Sequence, residues 1–311
     1  MRPYSWLIGC ALIAVALAPA VARGQVAPQA PPAAWRVSDC EDCHDEAFTP
    51  AYRASAHGQA DQSCAKCHAN VAEHAQAQSA GRKGPVPSLK DLKPSQLNET
   101  CQSCHEKGEQ ASYDLGMHAR RNVACSSCHS VHNPRSIAGQ LKTARGTDTC
   151  ISCHKAERAK SMRTSHHPVR EGKMECSSCH NPHEGNRPKM IKAETVSELC
   201  YQCHAEKRGP FLFEHAPVRE DCVSCHDAHG SNHTRMLTQK VPTLCWSCHF
   251  TGSGHFGSGD RLSTEKGVPV APTGAPSGYP TVNSRFVGKS CTLCHVNIHG
   301  SNSPSGAYFV R

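Results

Sequence analysis

Residues 200–231 read CYQCHAEKRGPFLFEHAPVREDCVSCHDAHGS. Two C-x-x-C pairs lie in this stretch, Cys200/Cys203 and Cys222/Cys225, and each runs directly into a histidine, His204 and His226. Two more histidines complete the pattern: His215 between the pairs and His229 shortly after the second. Outward from here the same pair recurs at Cys40/Cys43, Cys64/Cys67, Cys101/Cys104, Cys125/Cys128, Cys150/Cys153, Cys176/Cys179, Cys245/Cys248 and Cys291/Cys294. The trailing histidines there are His44, His68, His105, His129, His154, His180, His249 and His295. Of the 21 cysteines in the chain, Cys10 alone stands outside such a pair. C-x-x-C-H is the attachment signature of c-type haem. The two thiols become thioethers to the porphyrin, and the adjacent histidine is held under the iron as its proximal ligand. Ten motifs predict ten covalently attached haem c groups.

Rival uses of paired cysteines explain less. Four-cysteine zinc sites would use the pairs but would not require a histidine after every one. A disulfide scaffold would not demand one uniform spacing. A thioredoxin-like centre needs a βαβ context and occurs once.

The spare histidines carry a second inference. The chain divides into five units of two motifs, beginning at Cys40, Cys101, Cys150, Cys200 and Cys245. Each unit has one histidine between its motifs: His57, His118, His167 or its neighbour His166, His215 and His255. Each has another after its second motif: His74, His132, His183, His229 and His299. Such periodicity predicts bis-histidine iron throughout. His233 lies outside the pattern and reads as an ordinary surface histidine. Methionine, the other usual axial ligand, is too scarce, and Met190 and Met236 sit at matching points between units as packing residues. In C-x-x-C-H-x-x-H, the last histidine projects from the same side of a helical turn as the proximal one. His132 should therefore serve a haem other than that of His129, the preceding one being expected.

Composition agrees. The 311 residues include only 5% aromatics, and mean hydropathy is −0.53. Side chains alone cannot build an ordinary core from this, so the haems must form it. About 29 residues per motif leave little protein to separate the cofactors. The expected fold is mainly irregular with short α-helices, an elongated multihaem c-type cytochrome of five two-haem units. Helices should carry the motifs, with a longer one over residues 61–78. With 23 glycines and 21 prolines, including Asn133-Pro134 and Asn181-Pro182, turns should be frequent and sheet negligible.

At the N-terminus, Arg2, the apolar run from Leu7 to Ala18 and the small residues Ala20-Val21-Ala22 predict a signal peptide over 1–22, which removes Cys10. Residues 23–38 form a Pro/Ala-rich tether and 39–311 the decahaem domain. Nothing later is apolar enough to span a bilayer. Taken alone, the net charge of +8 suggests nucleic acid. Ten ferric haems would add about −10 through their propionates, however, so the basic residues read as propionate partners and no nucleic-acid partner is expected. An enzyme would need an open iron position or an unusual ligand such as C-x-x-C-K, and the chain has none. No catalytic residue is expected.

The layout resembles the periplasmic decahaem cytochromes of outer-membrane porin–cytochrome conduits, the Mtr, Mto, Pio and DmsE family. The resemblance covers all ten motifs and is densest in residues 200–231 and in SCTLCHVNIHGSNSPSG at 290–306. It implies one continuous haem wire seated in an outer-membrane β-barrel porin, linking a periplasmic cytochrome donor or acceptor to an extracellular multihaem cytochrome. Metal reduction or Fe(II) oxidation would be the physiological setting. It also favours His167 over His166, because the ligand histidine precedes proline in that family. Some relatives carry a longer segment before the first motif, where this chain has only the tether. The other reading is a free periplasmic shuttle feeding a terminal reductase.

Overall fold

The computed structural model describes residues 40–60, 64–85, 88–249, 290–304 and 306–310. The expected signal peptide, the tether and His255 lie outside the described residues.

Every motif folds the same way locally. In all ten, the histidine amide donates to the carbonyl of the first cysteine across one helical turn, at 2.8–3.1 Å. That turn brings two thiols and one imidazole to a common side, as a covalently held ring requires. Around these turns the chain forms α1 (Pro50–Arg53), α2 (Ala56–Gln59), α3 (Val71–Ser79), α4 (Pro94–Gln102), α5 (Met117–Arg120), α6 (Cys125–Cys128), α7 (Gly146–Ile151), α8 (Lys155–Ser161), α9 (Val196–Tyr201), α10 (Ala216–Glu220) and α11 (Thr243–Trp246), with short 3-10 turns between. Among the described residues there is no strand longer than an isolated bridge. The mainly irregular, short-helical architecture is as expected.

Start and stop signals explain the short helices. Thr49 and Ser55 cap α1 and α2 through the amides of Tyr52 and Gly58. Thr195 and Glu198 form a capping box on α9. The helix expected over residues 61–78 is shorter than predicted. It begins only at Val71, because Asn70 adopts a left-handed conformation (φ 61°) and breaks the run after a 3-10 turn at Cys64–Lys66.

Motifs alternate between two settings. From the third onward, the odd motifs end α-helices: Cys101, Cys150, Cys200 and Cys245 lie in the last turns of α4, α7, α9 and α11. The even motifs open their own turn, either α6 or a 3-10 turn such as Cys176–Ser178, Cys222–Ser224 or Cys291–Leu293. After them the chain doubles back, and Asn181, Asp227 and Asn297 amides donate to the carbonyls of Met190, Met236 and Phe309. These return loops use consecutive left-handed residues: Gly139 and Gln140, Lys189 and Met190, Arg235 and Met236. Met190 and Met236, expected as packing residues, thus also shape the backbone.

The two settings are joined by a buried polar residue three positions before an odd motif. Asn98, Thr147 and Ser197 are only 4%, 6% and 6% exposed. Asn98 Oδ1 accepts from the Cys125 amide (2.8 Å), and Ser197 Oγ accepts from Cys222 Sγ (3.5 Å). Apolar burial is sparse, confined among the described residues to Phe48, Tyr52, Val71, Ala77, Tyr113, Ala124 and Ile191.

Candidate haem sites

Histidine rings face each other in pairs. The described pairs are His44–His74, His68–His132, His57–His105, His129–His183, His118–His154, His180–His229, His167–His204, His226–His299 and His215–His249. Each joins one motif histidine to one spare histidine, and ring centroids stand 5.8–6.4 Å apart. A metal–imidazole bond is about 2 Å and the ring centre lies about 1.1 Å behind its nitrogen, so two rings on one metal should be about 6.2 Å apart. The spacing fits an iron held between them. No group of three or more His, Cys, Asp or Glu converges on a point among the described residues.

The pairing follows a rule. An even motif faces a histidine from downstream, after the motif two places on; an odd motif from the third onward faces one from upstream. The first motif faces His74, within its own unit. His132 indeed faces a motif other than its own, but not the preceding one. Its partner is His68, because His57 from upstream already faces His105. His255, the tenth spare histidine, lies outside the described residues, and His295 belongs to the motif left over.

Hydrogen bonds orient the rings. His129, His180, His226 and His295 donate from Nδ1 to the carbonyls of Gly139, Lys189, Arg235 and Tyr308, at 2.5–2.8 Å. These acceptors belong to the return loops. His74, His118, His132 and His167 donate to the carbonyls of Pro85, Pro182, Ala47 and Ala228. Such bonds fix the tautomer and leave Nε2 free to bind metal. Odd-motif histidines differ: His44, His154 and His204 have the carboxylates of Glu46, Glu157 and Glu206 at 3.7–4.0 Å from Nδ1. Burial lowers the pKa of His132, His183, His215, His229 and His299, and facing histidines push the same way. The neutral form is the one that ligates.

The cysteines form a continuous series. None of the described motif cysteines is in a disulfide. The thiols of Cys101 and Cys125 are close neighbours, as are those of Cys150 and Cys176, Cys200 and Cys222, and Cys245 and Cys291. Partial burial pushes up the thiols of Cys67, Cys128, Cys179 and Cys225, and the next influence on each is a cysteine of the following motif: Cys101, Cys153, Cys203 and Cys248. Consecutive motifs from the second to the tenth are therefore spatial neighbours. A cavity of about 4140 Å³ runs along them, lined by residues between Ala56 and Phe309. It is several times larger than the roughly 300–1,000 Å³ of an ordinary cofactor pocket.

The cavity lining does not take in every attachment cysteine. Cys43 of the first motif and Cys294 of the tenth are exposed, and neither lines the cavity. Cys40 and Cys64 are half-buried and also lie outside its lining. Exposure does not set Cys43 and Cys294 apart, since Cys67, Cys104, Cys153, Cys203 and Cys248 are exposed as well and do line the cavity. The local geometry at the two ends is still that of the other motifs, since the Cys43 and Cys294 amides donate to the carbonyls of Cys40 and Cys291, at 3.3 and 3.2 Å.

His166 and His233 behave differently. His166 donates from Nδ1 to the Arg163 carbonyl (2.6 Å), and its Nε2 meets Glu171 (3.1 Å), which raises its pKa. With both nitrogens engaged, it leaves His167 to face His204. His233 has no facing ring among the described residues. The sequence reading missed the return-loop carbonyls, since nothing in Lys189 or Arg235 as residue types signals a left-handed turn.

These features define a multihaem c-type cytochrome. The doubled C-x-x-C-H family model matches at 118–159, 166–209 and 215–253. A multihaem cytochrome MtrA from Shewanella baltica is 37% identical over 255 residues, covering 80% of this chain and 70% of that protein. The cytochrome c-type protein NrfB from Escherichia coli O6:H1 is 26% identical over 140 residues, covering 38% of this chain and 71% of that protein. The chain belongs to the MtrA family of multihaem cytochromes. The matched repeats run one motif out of phase with the units read from the sequence. Each begins at or beside a spare histidine and takes an even motif followed by an odd one, so the pairs His118–His154, His167–His204 and His215–His249 each fall within one repeat.

Proposed function

We propose that the chain carries ten haem c groups, each held by one cysteine pair and by two histidines, and that it conducts electrons along them in serial order. The nine facing histidine pairs carry this reading. The tenth haem takes His295 and, by elimination, His255. Cys43 and Cys294 help attach the two terminal haems, where electrons enter and leave. The cofactor supplies reversible one-electron chemistry, while the protein supplies fixed axial rings and short separations. With both axial positions filled, no substrate reaches iron, and the chain is a carrier rather than an enzyme.

The wider role is a conduit through the outer membrane. The exported chain would sit in a β-barrel porin, between periplasmic and extracellular redox partners. No helix among the described residues is long and apolar enough to cross a membrane. Irregular backbone is tolerated at membrane depth only inside protein or a water-filled lumen, which a closed barrel provides. Likeness to the MtrA protein supports this setting. Liposomes with a trapped reductant should reduce an external acceptor only when this protein and its barrel are both present. Equal transfer by the barrel alone, or failure to bind any barrel, would favour a soluble periplasmic shuttle instead.

A further inference from the structure

Gln140 stands in the return loop after the fourth motif, at φ 49°. Its Oε1 lies 2.5 Å from His57 Nδ1, on a residue 83 positions away. His57 faces His105 of the third motif. The corresponding return-loop positions hold Met190, Met236 and Phe309, whose side chains cannot make this bond. His118 and His167, which play the part of His57 elsewhere, donate instead to the backbone carbonyls of Pro182 and Ala228. Here a side chain has taken over a backbone task.

The other half of the amide is informative. If His57 ligates through Nε2, its Nδ1 carries the proton, and the Gln140 oxygen must face it. That fixes Nε2 of Gln140 pointing away, where it is buried with no hydrogen-bond partner. A buried amide donor left without an acceptor is destabilising. Gln140, His57 and His105 all line the same cavity. The acceptors that a haem brings into such a cavity are its propionate oxygens.

We propose that Gln140 positions His57 on the third haem and donates its free amide group to a propionate of a haem in this cavity. The preceding residue, Gly139, accepts from His129 of the fourth motif. One turn therefore orients axial rings on two successive haems. This inference rests on the bis-histidine reading above.

The test uses the full, haem-loaded protein. The His57 and His105 rings cross at 60°, one of the two steepest angles among the described pairs; the other is His118–His154 at 74°. Steeply crossed axial rings give the most anisotropic low-spin ferric resonance signals. Gln140→Met should leave the haem count at the parent value while shifting one haem's share of that anisotropic signal. Gln140→Glu places a carboxylate against both His57 and the propionate, and should lower the midpoint potential of one haem in ten. Unchanged spectra in Gln140→Met, or unchanged potentials in Gln140→Glu, would overturn the proposal. Equal changes across all haems with loss of cofactor would also overturn it, by showing a merely structural role. A parent protein without bis-histidine spectra would instead remove the ligation reading on which it rests.

Discussion

Even and odd motifs share five residues of pattern and one helical turn, yet they build different sites. The even-motif histidines His129, His180 and His226 are tied to return-loop carbonyls, and their rings lie nearly parallel to their partners, at 18°, 21° and 15°. The odd-motif histidines His105, His154 and His204 meet theirs at 60°, 74° and 45°. His154 and His204 have carboxylates near Nδ1 at distances too long for hydrogen bonds. His249, at 20° to His215, and His68 of the second motif, at 40° to His132, are exceptions. Where a return-loop carbonyl holds the motif histidine, as at His129, His180 and His226, the two facing rings lie nearly parallel.

The largest expected effect comes from removing an even site's far ring. His183→Ala should open the fourth haem, so that the reduced protein binds carbon monoxide at one haem in ten, and should destabilise the chain by about 3 kcal/mol through loss of a buried tie. His233→Ala should leave both readouts at the parent level.

Next is the joint between the two kinds of site. Asn98→Ala strands the Cys125 amide and should cost about 2 kcal/mol, measured by denaturant unfolding of the loaded protein. An unaltered midpoint would separate the third and fourth sites energetically.

A smaller effect probes the return loop. Met190 holds φ 54°, where a β-branched side chain is strongly disfavoured. Met190→Val should cost about 1.5 kcal/mol and turn the His180 ring, detectable as a change in one haem's resonance signal. Smallest of all, Glu157→Gln removes an exposed carboxylate 4.0 Å from His154 Nδ1. It should raise one haem's potential by no more than about 40 mV, corresponding to about 1 kcal/mol. A larger shift would mean that the odd sites are tuned by these carboxylates.

Much of this was legible from the residues. The trailing histidine after each cysteine pair exposed the haem motif, because thioether attachment and proximal ligation require that spacing. The spare histidines were legible as a set through their period. Their partners were not. His132 to His68 and His57 to His105 are contacts between segments far apart in sequence, decided by how successive turns stack. The helix starting at Val71 was misjudged because a left-handed Asn70 has no pattern in hydrophobic periodicity. For the same reason Lys189, Arg235 and their carbonyls escaped notice, and Gln140 became visible only through the side chain it meets.

The central claim is that each iron sits between the two rings named for it. Diffraction from the loaded protein at the iron absorption edge locates the irons independently of the polypeptide. The account predicts ten anomalous peaks in motif order, nine of them midway between the described histidine pairs. An iron lying between His132 and His105, or one with a single histidine beside it, would contradict the account.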